Sequence, residues 1–258
     1  MINKDKSKFT ALYGLIGYPL SHSFSKRYFS QKFEKEGIEG HDYDLFPLTQ
    51  IDQLPNLIVQ YPNLKGLNVT IPYKELVFDY LDEVDEAAAE VGAVNTIKIS
   101  DGRLKGYNTD VYGFEQSLVK WLKPLPAKAM ILGTGGAAKA VAYVLRRLGI
   151  DFLKISRGNK GDLTYGALNV QHLADYPLVI NTTPLGMSPQ IDTCPDLPYF
   201  HLAESNVLYD LVYNPEKTLF LKRGQEQNCQ VKNGLEMLYL QAEKAWEIWN
   251  SIDRPKNL

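Results

Sequence analysis

The chain has 258 residues, 45% of them hydrophobic, with 28 Lys+Arg against 30 Asp+Glu. That length suits one large or two modest domains around an ordinary apolar core, and a formal charge of −2 lacks the basic excess that gripping a phosphate backbone requires. No apolar run approaches the roughly 20 residues of a bilayer span, the polar stretch Met1 to Lys8 lacks the apolar segment of a signal peptide, and Cys194 and Cys229 have no motif spacing. The expectation is a soluble, cytoplasmic protein with no nucleic-acid or membrane partner.

In chain order, short β-rich runs alternate with helical patterns, as in an α/β protein. Residues 13–17 read as a buried strand ended by Tyr18-Pro19. The helix after it carries Phe24, Tyr28, Phe29 and Phe33 on one stripe and stops at Gly37. Strands at 41–46 and 66–71 flank a helix at 52–60, and helices at 74–81 and 85–91 follow. Strands 94–99 and 103–107 form a hairpin around Ser100-Asp101-Gly102. A long helix over 110–122 leads to Pro124-x-Pro126, beyond which the pattern restarts. It runs through strand 129–132, helix 135–148 ended by Gly149, strands 152–156, 178–182 and 207–212, helix 219–227 and a last helix 235–250. A second half that restarts as βαβ predicts two α/β lobes with a ligand cleft between them.

Gly133-Thr134-Gly135-Gly136-Ala137-Ala138 fits G-x-G-x-x-A between an apolar strand and a helix rich in Ala and Val, the context a dinucleotide site needs. Gly133 makes the tight turn, Gly135 admits a pyrophosphate to the backbone, and Ala138 lets the helix pack close to its strand. The helix N-terminus offers N–H groups and a positive dipole end to the phosphates. The next strand runs into Ser156-Arg157-Gly158-Asn159-Lys160, with no carboxylate to take a ribose 2′-hydroxyl. Arg157 and Lys160 suit a 2′-phosphate instead, which favours NADP over NAD. The plain alternatives are an ordinary Gly-rich turn and a solvated Arg and Lys.

The first half carries polar residues where strand ends should be apolar. Ser21-His22-Ser23 precedes the Phe24 helix, where one serine could serve only as a cap. Asn68 and Thr70 share one face of their strand. Lys74 stands at the start of a predicted helix, where its charge opposes the dipole unless something uses it; the plain alternative is a solvated lysine. Asn95 opens a strand, and Asp110 is a candidate N-cap for the long helix. Gln241 lies on the stripe of the last helix that should be buried, and a buried amide needs partners. His22, His41, His172 and His201 are scattered without ligand spacing, so no metal site is expected.

Together these residues resemble the shikimate dehydrogenase family, over about Tyr13 to Trp249. The likeness is carried by Gly17-Tyr18-Pro19-Leu20-Ser21-His22-Ser23, Asn68-Val69-Thr70-Ile71-Pro72-Tyr73-Lys74, Gly92-Ala93-Val94-Asn95-Thr96 and Gly106-Tyr107-Asn108-Thr109-Asp110. It continues through the Gly133 loop, Asn181-Thr182-Thr183-Pro184-Leu185-Gly186-Met187, Tyr209-Asp210-Leu211-Val212-Tyr213-Asn214-Pro215 and Gly234-Leu235-Glu236-Met237-Leu238 with Gln241.

The resemblance implies NADP-dependent reduction of 3-dehydroshikimate to shikimate, in chorismate and aromatic amino acid biosynthesis. Lys74 and Asp110 match the catalytic pair. Ser21, Ser23, Asn68, Thr70, Lys74, Asn95, Asp110, Tyr213 and Gln241 match substrate contacts. Gly133, Gly135, Gly136, Ala137, Ala138, Ser156, Arg157, Lys160, Thr182, Thr183, Met187 and Gly234 match the cofactor site. The family's architecture implies a discontinuous substrate-binding domain, 1–109 with 234–258, and a Rossmann-like NADP-binding domain, 110–233, in a monomer or homodimer. One departure stands out: the family usually has Asn-Arg-Thr where this chain has Ser156-Arg157-Gly158, and Lys160 only approximates its second cation. Alternatives are a broader quinate/shikimate dehydrogenase using NAD or NADP, and a dinucleotide-binding sensor without turnover, which would need neither Lys74 nor Asp110.

Overall fold

Two six-stranded sheets, one in each of two compact units, organise the residues 8–20 and 23–252 that the computed structural model describes. The first unit comprises residues 1–109 and 242–258, and the second residues 110–241. The two α/β lobes expected from the alternating pattern are present.

The first unit holds β1 (Ala11–Gly17), α1 (Phe24–Lys35), β2 (His41–Pro47), α2 (Leu54–Gln60), β3 (Leu64–Val69), β4 (Glu83–Val84), α3 (Glu86–Val91), β5 (Thr96–Ser100) and β6 (Arg103–Tyr107). Its strands lie in the order β2-β1-β3-β5-β6-β4. β1 runs parallel to β2 and β3, and β5 is antiparallel to β3 and β6. Every residue of β1 is buried, as an unbroken apolar run in a parallel centre strand should be. Ser23 caps α1 by accepting from the Lys26 N–H. The β5–β6 turn places Asp101 at φ 50° and Gly102 at φ 75°, the doubly positive geometry that suits a two-residue hairpin.

Two local expectations fail. Residues 71–75 form a turn followed by a five-residue 3₁₀ helix, Leu76–Tyr80, in place of an α-helix over 74–81. The Lys74 carbonyl accepts from the Val94 N–H at 2.8 Å, so a tertiary bond takes an acceptor that a helix would use. Lys74 therefore stands in a turn, and a helix dipole gives no reason for its presence. The long helix α4 spans Thr109–Trp121, which puts Asp110 inside its first turn rather than at the N-cap.

The second unit continues with β7 (Lys128–Leu132), α5 (Gly136–Arg147), β8 (Asp151–Ser156), β9 (Leu163–Thr164), α6 (Val170–Asp175), β10 (Leu178–Asn181), β11 (Val207–Asp210), α7 (Leu219–Glu226), β12 (Gln230–Lys232) and the start of α8 (Leu235–Asn250). All its strand pairs are parallel, in the order β12-β11-β10-β7-β8-β9. Numbered from β7, that is the 3-2-1-4-5-6 order of a doubly wound, Rossmann-like sheet. No helix of the described residues is long and apolar enough to cross a membrane.

Helix α8 belongs to both units. Its first half packs on α4, where a Cβ on Gly113 would lie 2.6 Å from the Met237 carbonyl oxygen. Residues 234–241 accordingly group with the second unit, not with the discontinuous first domain, 1–109 with 234–258, that the family resemblance implies. Its second half covers the first sheet: the Trp249 indole N–H donates to the Ile97 carbonyl at 2.9 Å, and the ring lies over Gly66. A Cβ at Gly66 would sit 2.3 Å from that indole, closer than packed atoms approach. Gly66→Ala should therefore cost about 1–3 kcal/mol through overpacking, read as a lowered urea midpoint with an unchanged m-value.

Candidate active site

In open α/β sheets, ligands bind beyond the carboxyl ends of strands where the strand order reverses. The first sheet reverses at β1, because the chain leaves β1 for β2 on one side and returns to β3 on the other. Here Gly17 ends β1 and Thr70 follows β3. The Thr70 N–H donates to the Ile16 carbonyl at 2.9 Å, and the Tyr18 N–H to the Ile71 carbonyl at 3.2 Å. A Cβ on Gly17 would lie 2.4 Å from Thr70 Cγ2, so only glycine lets the two loops meet this closely.

Around this point Asn68 and Asn95 are joined to one another through Thr96. Asn68 is 6% exposed on β3; its Oδ1 accepts from the Tyr43 hydroxyl at 2.8 Å, and its Nδ2 donates to Thr96 Oγ1 at 3.2 Å. Burial raises the Tyr43 pKa far above the ordinary phenol value, which keeps that hydroxyl a donor. Asn95 Oδ1 takes the Thr109 N–H at 2.7 Å and the Thr109 and Thr96 hydroxyls. Among the described residues, Asn95 Nδ2 and Thr70 Oγ1 have no hydrogen-bond partner. The Val94–Asn95 segment thus fixes the Lys74 backbone through Val94 and the residue before Asp110 through Asn95. Ser23, Thr70, Lys74 and Asp110 are all half-buried. Ser21 lies outside the described residues.

The second sheet reverses between β7 and β10. Gly133 follows β7 at φ 111°, a conformation for glycine, and a Cβ there would lie 2.8 Å from Thr182 Oγ1. The Thr182 hydroxyl donates to the Leu132 carbonyl at 2.7 Å, which joins the loop after β10 to the end of β7. Gly135 is the N-cap of α5, with no side-chain cap, and a Cβ on Gly135 or Gly136 would meet nothing within 4 Å. Open space over uncapped N–H groups fits a dinucleotide pyrophosphate. Ala138, 2% exposed, packs beneath, and Ala137 is half-buried in the same turn. Ser156 Oγ donates to the Gly158 carbonyl and shapes the turn from which Arg157 and Lys160 extend, both exposed.

Beyond β10, Thr182 and Thr183 are half-buried and Met187 is 46% exposed. Gly234 donates its N–H to the Val212 carbonyl, and a Cβ there would collide with the Leu211 carbonyl oxygen at 2.1 Å. Tyr213, the residue after Val212, is half-buried, and Gln241 is 9% exposed, its Nε2 donating to the Leu238 carbonyl at 3.0 Å.

Two buried polar residues at this end stand out in the sequence only as members of longer motifs. Asn181 and Asp210 end β10 and β11, and both are fully buried. Burial outweighs three hydrogen bonds to the Asp210 carboxylate, from Thr218, the Val212 N–H and Asn181, and pushes its pKa up to about 6. The signal for it was an acid embedded in the apolar run 207–212.

The first part of the chain, residues 15–97, matches a family model described as the shikimate dehydrogenase substrate binding domain. A shikimate dehydrogenase (NADP(+)) of Clostridium beijerinckii is 42% identical over 260 residues, which span 95% of this chain and 94% of that one. Among solved structures, a shikimate 5-dehydrogenase of Thermus thermophilus in complex with NADP(H) and shikimate matches at a TM-score of 0.82 and 30% identity, over 94% of each chain. Another from Listeria monocytogenes, in complex with shikimate and NAD, matches at a TM-score of 0.83 and 31% identity, over 95% of this chain and 93% of its own.

Folded Asp210 holds its proton up to about pH 6, against 3.8 for the ordinary group, so the folded state binds the extra proton in between. Stability should therefore be greatest at the acid end of that window and fall as pH rises through it. Relative to Asp210→Asn, the wild type should lose about 2–2.5 kcal/mol between roughly pH 4 and 7, read as the difference between urea unfolding free energies at each pH.

Proposed function

Because this chain belongs to the shikimate dehydrogenase family, we propose that it catalyses the NADP-dependent, reversible reduction of 3-dehydroshikimate to shikimate, in chorismate and aromatic amino acid biosynthesis. The observation that carries the assignment of roles is the Val94–Asn95 tie. It sets Lys74 and the start of α4 against one buried segment and leaves Asn95 Nδ2 and Thr70 Oγ1 for a hydroxylated ligand.

For the cofactor, Gly133, Gly135, Gly136, Ala137 and Ala138 would hold the pyrophosphate at the start of α5, and Arg157 and Lys160 the 2′-phosphate at the turn shaped by Ser156. Thr182, Thr183, Met187 and Gly234 would line the nicotinamide end. The dinucleotide supplies the hydride; the chain supplies orientation and a proton.

Reduction of a ketone builds negative charge on its oxygen. Lys74, as ammonium, donates a proton there, and as amine takes the hydroxyl proton in the oxidation direction, a form of help typically worth about 10²–10⁴ in rate. Asp110 matches the acid of the family's catalytic pair and would accept from a substrate hydroxyl. The hydroxyls of Ser21 and Ser23, with the N-terminus of α1, meet the substrate carboxylate. Asn68, Thr70, Asn95, Tyr213 and Gln241 read the ring hydroxyls. An analogue missing one hydroxyl leaves such groups unpaired, which a site of this kind penalises strongly. We place the enzyme in the cytoplasm as a monomer or homodimer, with Cys194 and Cys229 as free thiols.

Steady-state rates with shikimate and quinate, each with NADP and NAD, test the assignment; equal turnover of quinate, or a preference for NAD, overturns it. Lys74→Ala should lower kcat by about 10²–10⁴ with little change in shikimate binding, and wild-type turnover in that variant would remove the lysine from its role. Arg157→Ala should weaken NADPH binding far more than NADH binding in fluorescence titrations, whereas equal weakening contradicts the 2′-phosphate contact.

A further inference from the structure

The fully buried acid at the end of β11 touches neither the glycine cradle nor the residues assigned to proton transfer. Asp210 and Asn181 face each other in register across β11 and β10. Asn181 Nδ2 donates to Asp210 Oδ1 at 2.9 Å. A carboxylate only accepts, so it fixes which way the amide points. Asn181 Oδ1 is thereby turned toward the next loop, where it accepts from the Thr183 N–H at 3.0 Å and the Thr183 hydroxyl at 2.7 Å. Thr183 Oγ1 in turn accepts from the Leu185 N–H at 3.4 Å.

The other bonds of the carboxylate reach the segment after β11. Oδ1 also accepts from the Val212 N–H at 3.0 Å, and Oδ2 from the hydroxyl of Thr218, the N-cap of α7. Gly186 sits directly against Thr218, where a Cβ would lie 3.3 Å from Thr218 Cβ. One ionised group therefore joins the loop 182–187, the segment leading to Tyr213 and the start of α7. A buried charge is costly to keep, and a neutral amide of the same shape would be cheaper to bury. What the charge supplies, and an amide does not, is a fixed direction for Asn181.

We propose that Asp210 is a positioning residue for hydride transfer: through Asn181 and Thr218 it sets the loop 182–187 in the conformation that orients the nicotinamide end of the cofactor. This rests on the cofactor assignment made above. In Asp210→Asn, Asn181 is free to rotate its amide, and Thr183 loses a committed acceptor.

The test compares the full-length wild type, Asp210→Asn and the double variant Asp210→Asn with Asn181→Asp at neutral pH. In the double variant the new acid at 181 presents acceptors on both sides, which restores the bonds to Thr183 whichever way it turns. The single variant should keep a cooperative unfolding transition and an NADPH Kd within about threefold of wild type, because the phosphate contacts are untouched, while kcat falls on the order of tenfold or more. The KM for shikimate should stay unchanged, and the double variant should recover most of the lost kcat. Wild-type kcat in Asp210→Asn, or a loss that the second substitution does not recover, overturns the proposal. Should Asp210→Asn fail to fold, Thr218→Val removes one donor from the carboxylate and should lower kcat about threefold; wild-type kcat there is equally fatal. If the wild type binds no NADPH, the cofactor assignment itself fails and this inference falls with it, whereas binding with an unaffected variant sinks this inference alone.

Discussion

In each unit, the crevice at the carboxyl end of the sheet depends on a side chain that is missing. Gly17 at the end of β1 and Gly133 after β7 each lie against a threonine that follows the strand across the reversal, Thr70 in one case and Thr182 in the other. Added methyl groups would stand 2.4 Å from Thr70 Cγ2 and 2.8 Å from Thr182 Oγ1. Two loops can then be bonded to neighbouring strand ends without spreading the strands, which keeps the polar atoms above them in one place. The same solution appears in a mixed sheet and in a purely parallel one, so it follows from the crossover geometry and not from a particular ligand.

What stands above those glycines is organised by amides whose two ends do different work. Asn95 spends its carbonyl oxygen on Thr109 and Thr96 and leaves its NH₂ without a partner among the described residues. Asn181 spends its NH₂ on a carboxylate and its oxygen on Thr183. An amide committed at one end has only one orientation for the other, and oriented dipoles that need not rearrange during reaction are the main electrostatic resource of an enzyme site.

Much of this was legible in the residues. The last helix, 235–250, was bounded correctly because its apolar stripe is long and Gly234 precedes it. The hairpin followed from Asp101-Gly102, whose positive φ values few other pairs tolerate. The glycine loop followed from its strand-to-helix context. The failures have a common cause in tertiary bonds. A helix over 74–81 was predicted by local pattern, yet the Lys74 carbonyl is held by Val94. β4, β9 and β12 span two or three residues each, too few for a period of two to be visible, and exist because a neighbouring strand offers them bonds. Asp110 read as a cap because Asp favours that position, but the helix begins one residue earlier, where Asn95 takes the Thr109 N–H.

Helix α8 has a consequence for how the polypeptide matures. Its final turn supplies Trp249, which covers Gly66 and bonds Ile97, and the residue just after it, Ser251, offers the carbonyl that takes the buried Lys98 ammonium at 2.7 Å. These partners are translated after the whole second unit, whereas the sheet they complete precedes it. The amino-terminal half must therefore wait, with an aromatic-lined face uncovered, through synthesis of the entire nucleotide-binding half. Its closure waits for residues that follow the second unit in the chain.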